Sequence, residues 1–119
     1  MHLSGQTPLF RAKNLEKHLG LEAIYLKLEG SNPTGHKNDR IAESLVKFAS
    51  DQGYDKIFVH GSAQYLRSIL YFASGRQMTI LAPKIKLNAS QQKNHPEINW
   101  VTIKPDKNVD KNDAFEAYD

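Results

Sequence analysis

The chain has 119 residues, 39% hydrophobic and 24% charged, with a net charge of +3. That is enough for one domain with a real core, and it is far from a disordered composition. Without cysteine, disulfides, a thiol nucleophile and thiolate-held metals are excluded. Lysine and arginine alternate with acids and form no dense run, so no nucleic-acid partner is expected. No apolar run approaches the ~20 residues that span a bilayer, so no membrane partner is expected either. The opening "MHLSGQTPLF" lacks a signal-peptide core, which predicts a cytoplasmic protein.

In chain order, "TPLFRAKNLEKHLG" predicts a turn at Pro8 and a short helix closed by Gly20, with Leu15 and Leu19 on one face. "EAIYLKLEG" alternates Ile24, Leu26 and Leu28 with Tyr25, Lys27 and Glu29, the period of a strand. "SNPTG" is a turn cluster. "HKNDRIAESLVKFASDQG" predicts a helix whose core stripe is Ile41, Leu45, Phe48 and Ala49, stopped by Gly53. "DKIFVH" is a short strand. "SAQYLRSILYFASG" is a helix with Leu66, Ile69, Leu70 and Ala73 inward, and "QMTILAP" is a strand ended by Pro83. "LNASQQKNH" reads as a helix, "INWVTI" as a strand, and "DKNDAFEAYD" as a closing helix. Alternation of this kind predicts one α/β domain over residues 1–119. It would be a three-layer α/β/α, Rossmann-like unit with a mainly parallel four-stranded sheet.

The string Glu29-Gly30-Ser31-Asn32-Pro33-Thr34-Gly35-His36-Lys37-Asn38-Asp39-Arg40 resembles the motif E-G-x-N-P-T-G-S-F-K-D-R of fold type II pyridoxal-phosphate enzymes, the threonine synthase and cysteine synthase group. It aligns without a gap. The stretch "VHGSAQYLRSILYFASGRQMTILAP" and the ending "DAFEAYD" continue the likeness. It then spans nearly the whole chain but accounts only for the family's small domain. The resemblance implies a lysine that forms a Schiff base with the cofactor. It also implies an asparagine loop that touches the cofactor ring, and a glycine-rich phosphate loop in a second, larger domain.

This chain departs from that pattern at the points that carry chemistry. The lysine register falls on Asn38, and an amide forms no Schiff base. Lys37 stands one residue earlier, which on a helix is a rotation of ~100° and a rise of ~1.5 Å. The asparagine loop reads Ser62-Ala63-Gln64-Tyr65-Leu66, with Gln64 for the asparagine and Ser62 positioned to cap a plain helix. No glycine-rich phosphate loop is present, since no two of the seven glycines are adjacent. Lys37, Asn38, Ser62 and Gln64 are therefore expected to be vestigial, with no catalytic residue, no cofactor and no metal. His2, His18, His36, His60 and His95 lack ligand spacing. Asp39 and Glu43 read as a solvated acidic face, and Trp100 as a strand residue packed on the core.

A retained core with an altered site predicts a non-catalytic pseudoenzyme: a protein-binding module that inhibits or regulates a partner enzyme and is a homodimer when free. Length and altered site also suggest a likeness, with no shared motif, to a small bacterial inhibitor of ubiquitin-deamidating effectors. Two alternatives stay open. One is half of a split pyridoxal-phosphate lyase or synthase that uses Lys37 and needs a separate large domain. The other is a small-ligand binder at the carboxyl ends of the strands.

Overall fold

The structure is a computed structural model that describes residues 3–82 and 115–118. The first unit is a two-stranded antiparallel ribbon with a helix. It contains β1 (Leu9–Arg11), α1 (Lys13–Leu19) and β2 (Tyr25–Lys27), with Phe10 paired to Leu26. Beyond the pair, Leu28 N–H donates to the Pro8 carbonyl (3.0 Å) and Ala12 N–H to that of Ile24 (2.9 Å). Gly20 takes the left-handed conformation (φ 68°) and closes α1 as its sequence predicts. Glu16 turns inward, accepting from Arg11 (2.8 Å) and from Ile24 N–H (3.0 Å), which ties the helix to the ribbon.

The second unit holds the core. It contains α2 (Asp39–Asp51), β3 (Lys56–His60), α3 (Ala63–Ala73), β4 (Thr79–Leu81) and β5 (Phe115–Tyr118). The three strands form a parallel sheet in the order β4-β3-β5, and α2 packs against α3. Ile57, Val59 and Ile80 from the sheet meet Tyr65, Leu66, Ile69 and Phe72 of α3 and Ala42, Val46 and Ala49 of α2. The apolar stripe expected on α3 is buried as expected, and Ser62 caps it, accepting from Tyr65 N–H at 3.1 Å.

The α/β class holds, with four corrections. β2 does not join the parallel sheet; it pairs antiparallel with β1, a strand that three residues of sequence gave too little periodicity to reveal. The segment Phe115–Tyr118 is a strand, not part of a closing helix. β3 offers it a row of backbone groups to pair, and that pairing outweighs the helix preference of Glu and Ala. On α2 the stripe is rotated. Ile41 and Phe48 are each 51% exposed, as large apolar residues on the outer side, while Asp39, Ala42, Val46 and Ala49 face inward. Small side chains let α2 approach α3 closely, and Asp39 brings hydrogen bonds that only that side can supply. The leucines of the first unit are also uncovered: Leu15, Leu19, Leu26 and Leu28 are all exposed. The expected helix "LNASQQKNH", the expected strand "INWVTI", Trp100, Pro83, His2 and His95 lie outside the described residues. Among the described residues no helix is long and apolar enough to cross a membrane.

Candidate active site

The loop between β2 and α2 is built by its own side chains. A single 3-10 turn, Glu29–Ser31, leads into Asn32. The Asn32 amide donates to the Glu29 carbonyl (2.9 Å) and to Glu29 Oε2 (2.8 Å), while its oxygen accepts from Gly5 N–H (2.8 Å). Gly35 adopts φ 81° and donates its N–H to the Asn32 carbonyl (2.8 Å). A side chain there would meet no steric wall, so the glycine is required for its backbone conformation.

Two ionisable residues lock this loop from either side. Arg40 grips Glu29 through both carboxylate oxygens (2.7 and 2.8 Å), a bidentate geometry suited to guanidinium. Arg40 also reaches the Gly5 carbonyl at 3.3 Å, and Thr7 donates to Glu29 at 3.1 Å, so the chain start is tied to the loop. The Arg40 guanidinium, then the Asn32 amide, hold the Glu29 carboxyl at about 2, below its ordinary 4.5. A depressed carboxyl contributes stability above its unfolded pKa and loses it as pH falls through the folded value. The loop should therefore loosen between pH 4.5 and about 2. Denaturant midpoints that stay flat across that range would contradict this.

Asp39 faces the other way and is wholly buried. Its carboxylate accepts from Thr34 N–H (2.7 Å), from the Thr34 hydroxyl, and from the Ser68 hydroxyl of α3 (2.6 Å). Gln64 donates to Thr34 Oγ1 at 3.3 Å. One carboxylate thus joins the loop, the head of α2 and the middle of α3. The expectation of a solvated acidic face is corrected at both residues. Asp39 is inside, and Glu43 accepts from the N–H (2.9 Å) and hydroxyl of Ser4. The useful signal was the sequence Thr34-x4-Asp39, a hydroxyl and a carboxylate flanking a glycine turn, read together with Ser68.

An open cleft of about 680 Å³ lies beside this lock, lined by Glu29, His36, Lys37, Asn38, Arg40, Ile41 and Ser62. Of the four positions singled out in the sequence, Lys37, Asn38 and Ser62 meet here. Gln64 is engaged with Thr34 and with Arg67 (3.4 Å). Because α2 begins at Asp39, Lys37 and Asn38 stand in the turn that precedes it. Asn38 nevertheless has helical dihedrals (φ −64°, ψ −13°) and Arg40 N–H donates to the Lys37 carbonyl (3.3 Å). A helical rotation therefore still separates the two side chains, although both residues line the cleft. Lys37 is exposed, whereas Asn38 is 7% exposed at the head of the helix. Among the described residues no three His, Asp or Glu side chains gather as metal ligands.

Comparison with known proteins bears on what this cleft does. The family model described as "Pyridoxal-phosphate dependent enzyme" matches residues 1–95. Threonine synthase of Methanocaldococcus jannaschii is 35% identical over 85 residues, covering 70% of this chain and 21% of that protein. Cystathionine beta-synthase of Saccharomyces cerevisiae is 50% identical over 52 residues, 43% of this chain and 10% of that protein. The crystal structure of an L-serine ammonia-lyase from Rhizomucor miehei superposes with a TM-score of 0.67 at 16% identity, over 99% of this chain and 41% of that one. The chain spans about a fifth of the length of the threonine synthase it matches.

These findings overturn the expectation of a non-catalytic pseudoenzyme acting as an inhibitor or regulator, and they do not show the likeness to a bacterial effector inhibitor. The matched relatives are pyridoxal-phosphate dependent enzymes. The premise that an intact core with an altered site marks a binding surface also fails locally. Ile41 and Phe48, taken as retained core, lie on the outer side of α2.

Proposed function

The chain belongs to the pyridoxal-phosphate dependent enzyme family, and from that premise we propose that it is the small lobe of a lyase or synthase acting on amino acids. A large domain, carried on the same or a separate chain, completes it and supplies the phosphate-binding loop. The observation that carries this reading is the cleft shared by Lys37, Asn38 and Ser62.

The cofactor needs a primary amine, and the residues fit that need in one way. The buried carboxamide of Asn38, at the family's lysine register, offers none. Lys37 lines the same cleft and is exposed, so Lys37 is the residue that holds the cofactor. Bound pyridoxal phosphate supplies an electron sink for carbanion chemistry at an amino acid. The protein's share is binding and orientation. Asp39 and Arg40, which follow the turn that carries Lys37, fix it by binding Thr34 and Glu29, which precede it. Ser62 caps α3 and so fixes the opposite rim. Gln64 donates to Thr34 Oγ1 and so braces the loop.

The exposed apolar residues support the same reading. Leu9, Phe10, Leu15 and Leu26 on the first unit, and Ile41 and Phe48 on α2, are surfaces for a covering domain. Deprived of that domain, the chain should pair with a second copy through such a face, since two-fold pairing is the commonest closed arrangement. Light scattering on the isolated chain should give the mass of a dimer; a monomer at high micromolar concentration contradicts the pairing.

The function is tested by co-expressing the chain with the large domain of its threonine synthase relative and purifying the complex. A yellow complex that processes a hydroxy-amino acid or its ester is expected. A complex that forms but stays colourless with added pyridoxal phosphate overturns the enzyme reading.

A further inference from the structure

Residues 4–7 form a strap tied to the loop and to α2 at almost every position. Ser4 donates to Glu43 through its N–H (2.9 Å) and its hydroxyl. Gly5 N–H donates to Asn32 Oδ1 (2.8 Å), and the Gly5 carbonyl accepts from Arg40 Nη2 (3.3 Å). Thr7 is buried, with its hydroxyl donating to Glu29 (3.1 Å). In the middle of the strap Gly5 takes φ 78°. A Cβ at that position would stand 2.5 Å from Arg40 Nη1 and 3.1 Å from Arg40 Cζ. A guanidinium free to swing would give way cheaply. This one is committed to Glu29 through Nε (2.8 Å) and Nη2 (2.7 Å). A side chain at position 5 must therefore break that pair or lift the strap.

We infer that Gly5 is a positioning residue of the cleft: having no side chain, it seats the Arg40 guanidinium on Glu29, and through Arg40 it fixes the rim that carries Lys37. Gly5 is not among the residues lining the cleft, whereas Glu29, Lys37 and Arg40 all are. The link from Arg40 to the rim is direct, because the Arg40 N–H donates to the Lys37 carbonyl at 3.3 Å. Displacing Arg40 takes the cation from the Glu29 carboxylate and disturbs the turn where it enters α2. The inference rests on the reading of Lys37 above for its consequence at the rim, and not for the contact between Gly5 and Arg40. Left-handed backbone alone does not account for this glycine. Gly53 has nearly the same φ (80°), yet a Cβ there would meet nothing within 4 Å. Comparing the two separates backbone strain from the contact with Arg40.

The test compares Gly5→Ala with Gly53→Ala in the whole chain. Carbon-13 spectra follow the Glu29 carboxyl through an acid titration, and nitrogen-15 spectra follow the Arg40 Nε–H. Gly5→Ala should move the Glu29 midpoint from about 2 up toward the ordinary 4.5. It should also speed exchange of the Arg40 Nε–H with solvent about tenfold, the scale of one hydrogen bond to a charged group. Gly53→Ala carries the backbone strain alone and should change neither. Where Gly5→Ala does not fold, Gly5→Asn takes its place, since asparagine tolerates left-handed backbone and brings the same Cβ. Incubation with pyridoxal phosphate, then borohydride and peptide mapping, reads the consequence for the rim. Labelling of Lys37 relative to Lys13 and Lys47 should fall about tenfold in the Gly5 variant, within what a misplacement of about 1 Å can cost. An unmoved Glu29 midpoint in a folded Gly5 variant overturns the inference, because the glycine then serves only its own backbone. A moved midpoint with unchanged labelling of Lys37 overturns the link from Arg40 to the rim. No preference for Lys37 in the unaltered chain overturns the Lys37 reading, and the titration alone then decides whether Gly5 seats Arg40.

Discussion

Replacing Asp39 with alanine should lower the unfolding free energy by about 3 kcal/mol, the cost of stranding buried partners of a charged acceptor. Thr34 N–H loses its acceptor, and the Thr34 and Ser68 hydroxyls are left only their longer contacts with each other (3.2 Å) and with the Gln64 carbonyl (3.3 Å). The side chain is wholly buried, so water cannot replace it without opening the contact between α2 and α3. Lys47→Ala is the natural control. Its pairing with Asp51 one turn along α2 is exposed on both sides, and such pairs contribute about 0.5 kcal/mol or less. Urea midpoints at constant slope measure both changes. An Asp39→Ala midpoint no lower than that of Lys47→Ala would show that the carboxylate is not the joint between loop and helices.

Lys37→Ala should abolish the colour of the complex formed with a large domain, while Asn38→Ala should leave it. The amine is the only group at positions 36–38 able to bond covalently to an aldehyde. Activity of the complex should fall by about 10⁴-fold or more in Lys37→Ala, the scale seen when an acting nucleophile is removed. The Asn38 side chain contributes burial at the head of α2, so its loss should act on stability first. If instead Asn38→Ala bleaches the complex and Lys37→Ala does not, the amine has been assigned to the wrong residue.

Much of the second unit was legible in the sequence because its signals are local. Gly53 and Gly75 punctuate helices whose inward residues, from Leu66 to Ala73 on α3, recur at helical spacing. Ser62 announces its cap by position alone. The stripe on α2 was misread because size was taken for burial. Helix packing against α3 favours Ala42 and Ala49, and a buried carboxylate at Asp39 overrides hydrophobic rank. The strand at Phe115–Tyr118 depends on an edge of β3 more than fifty residues away in sequence, which no local preference encodes. The loop's motif residues were recognised, but their work was not. Glu29 with Arg40 and Thr34 with Asp39 are pairs that only the folded turn brings together. That Lys37 and Asn38 line one cleft was not legible either, because Ser62, on another element, joins them only in the fold.

The central claim is that Lys37 is the amine that holds the cofactor. Borohydride reduction of the chain after incubation with pyridoxal phosphate, alone and in complex with a large domain, tests it directly when followed by peptide mapping. One label per chain on Lys37, enriched in the complex, is the predicted result. Label spread evenly over the surface lysines, with Lys37 no more reactive than Lys13 or Lys47, would contradict it.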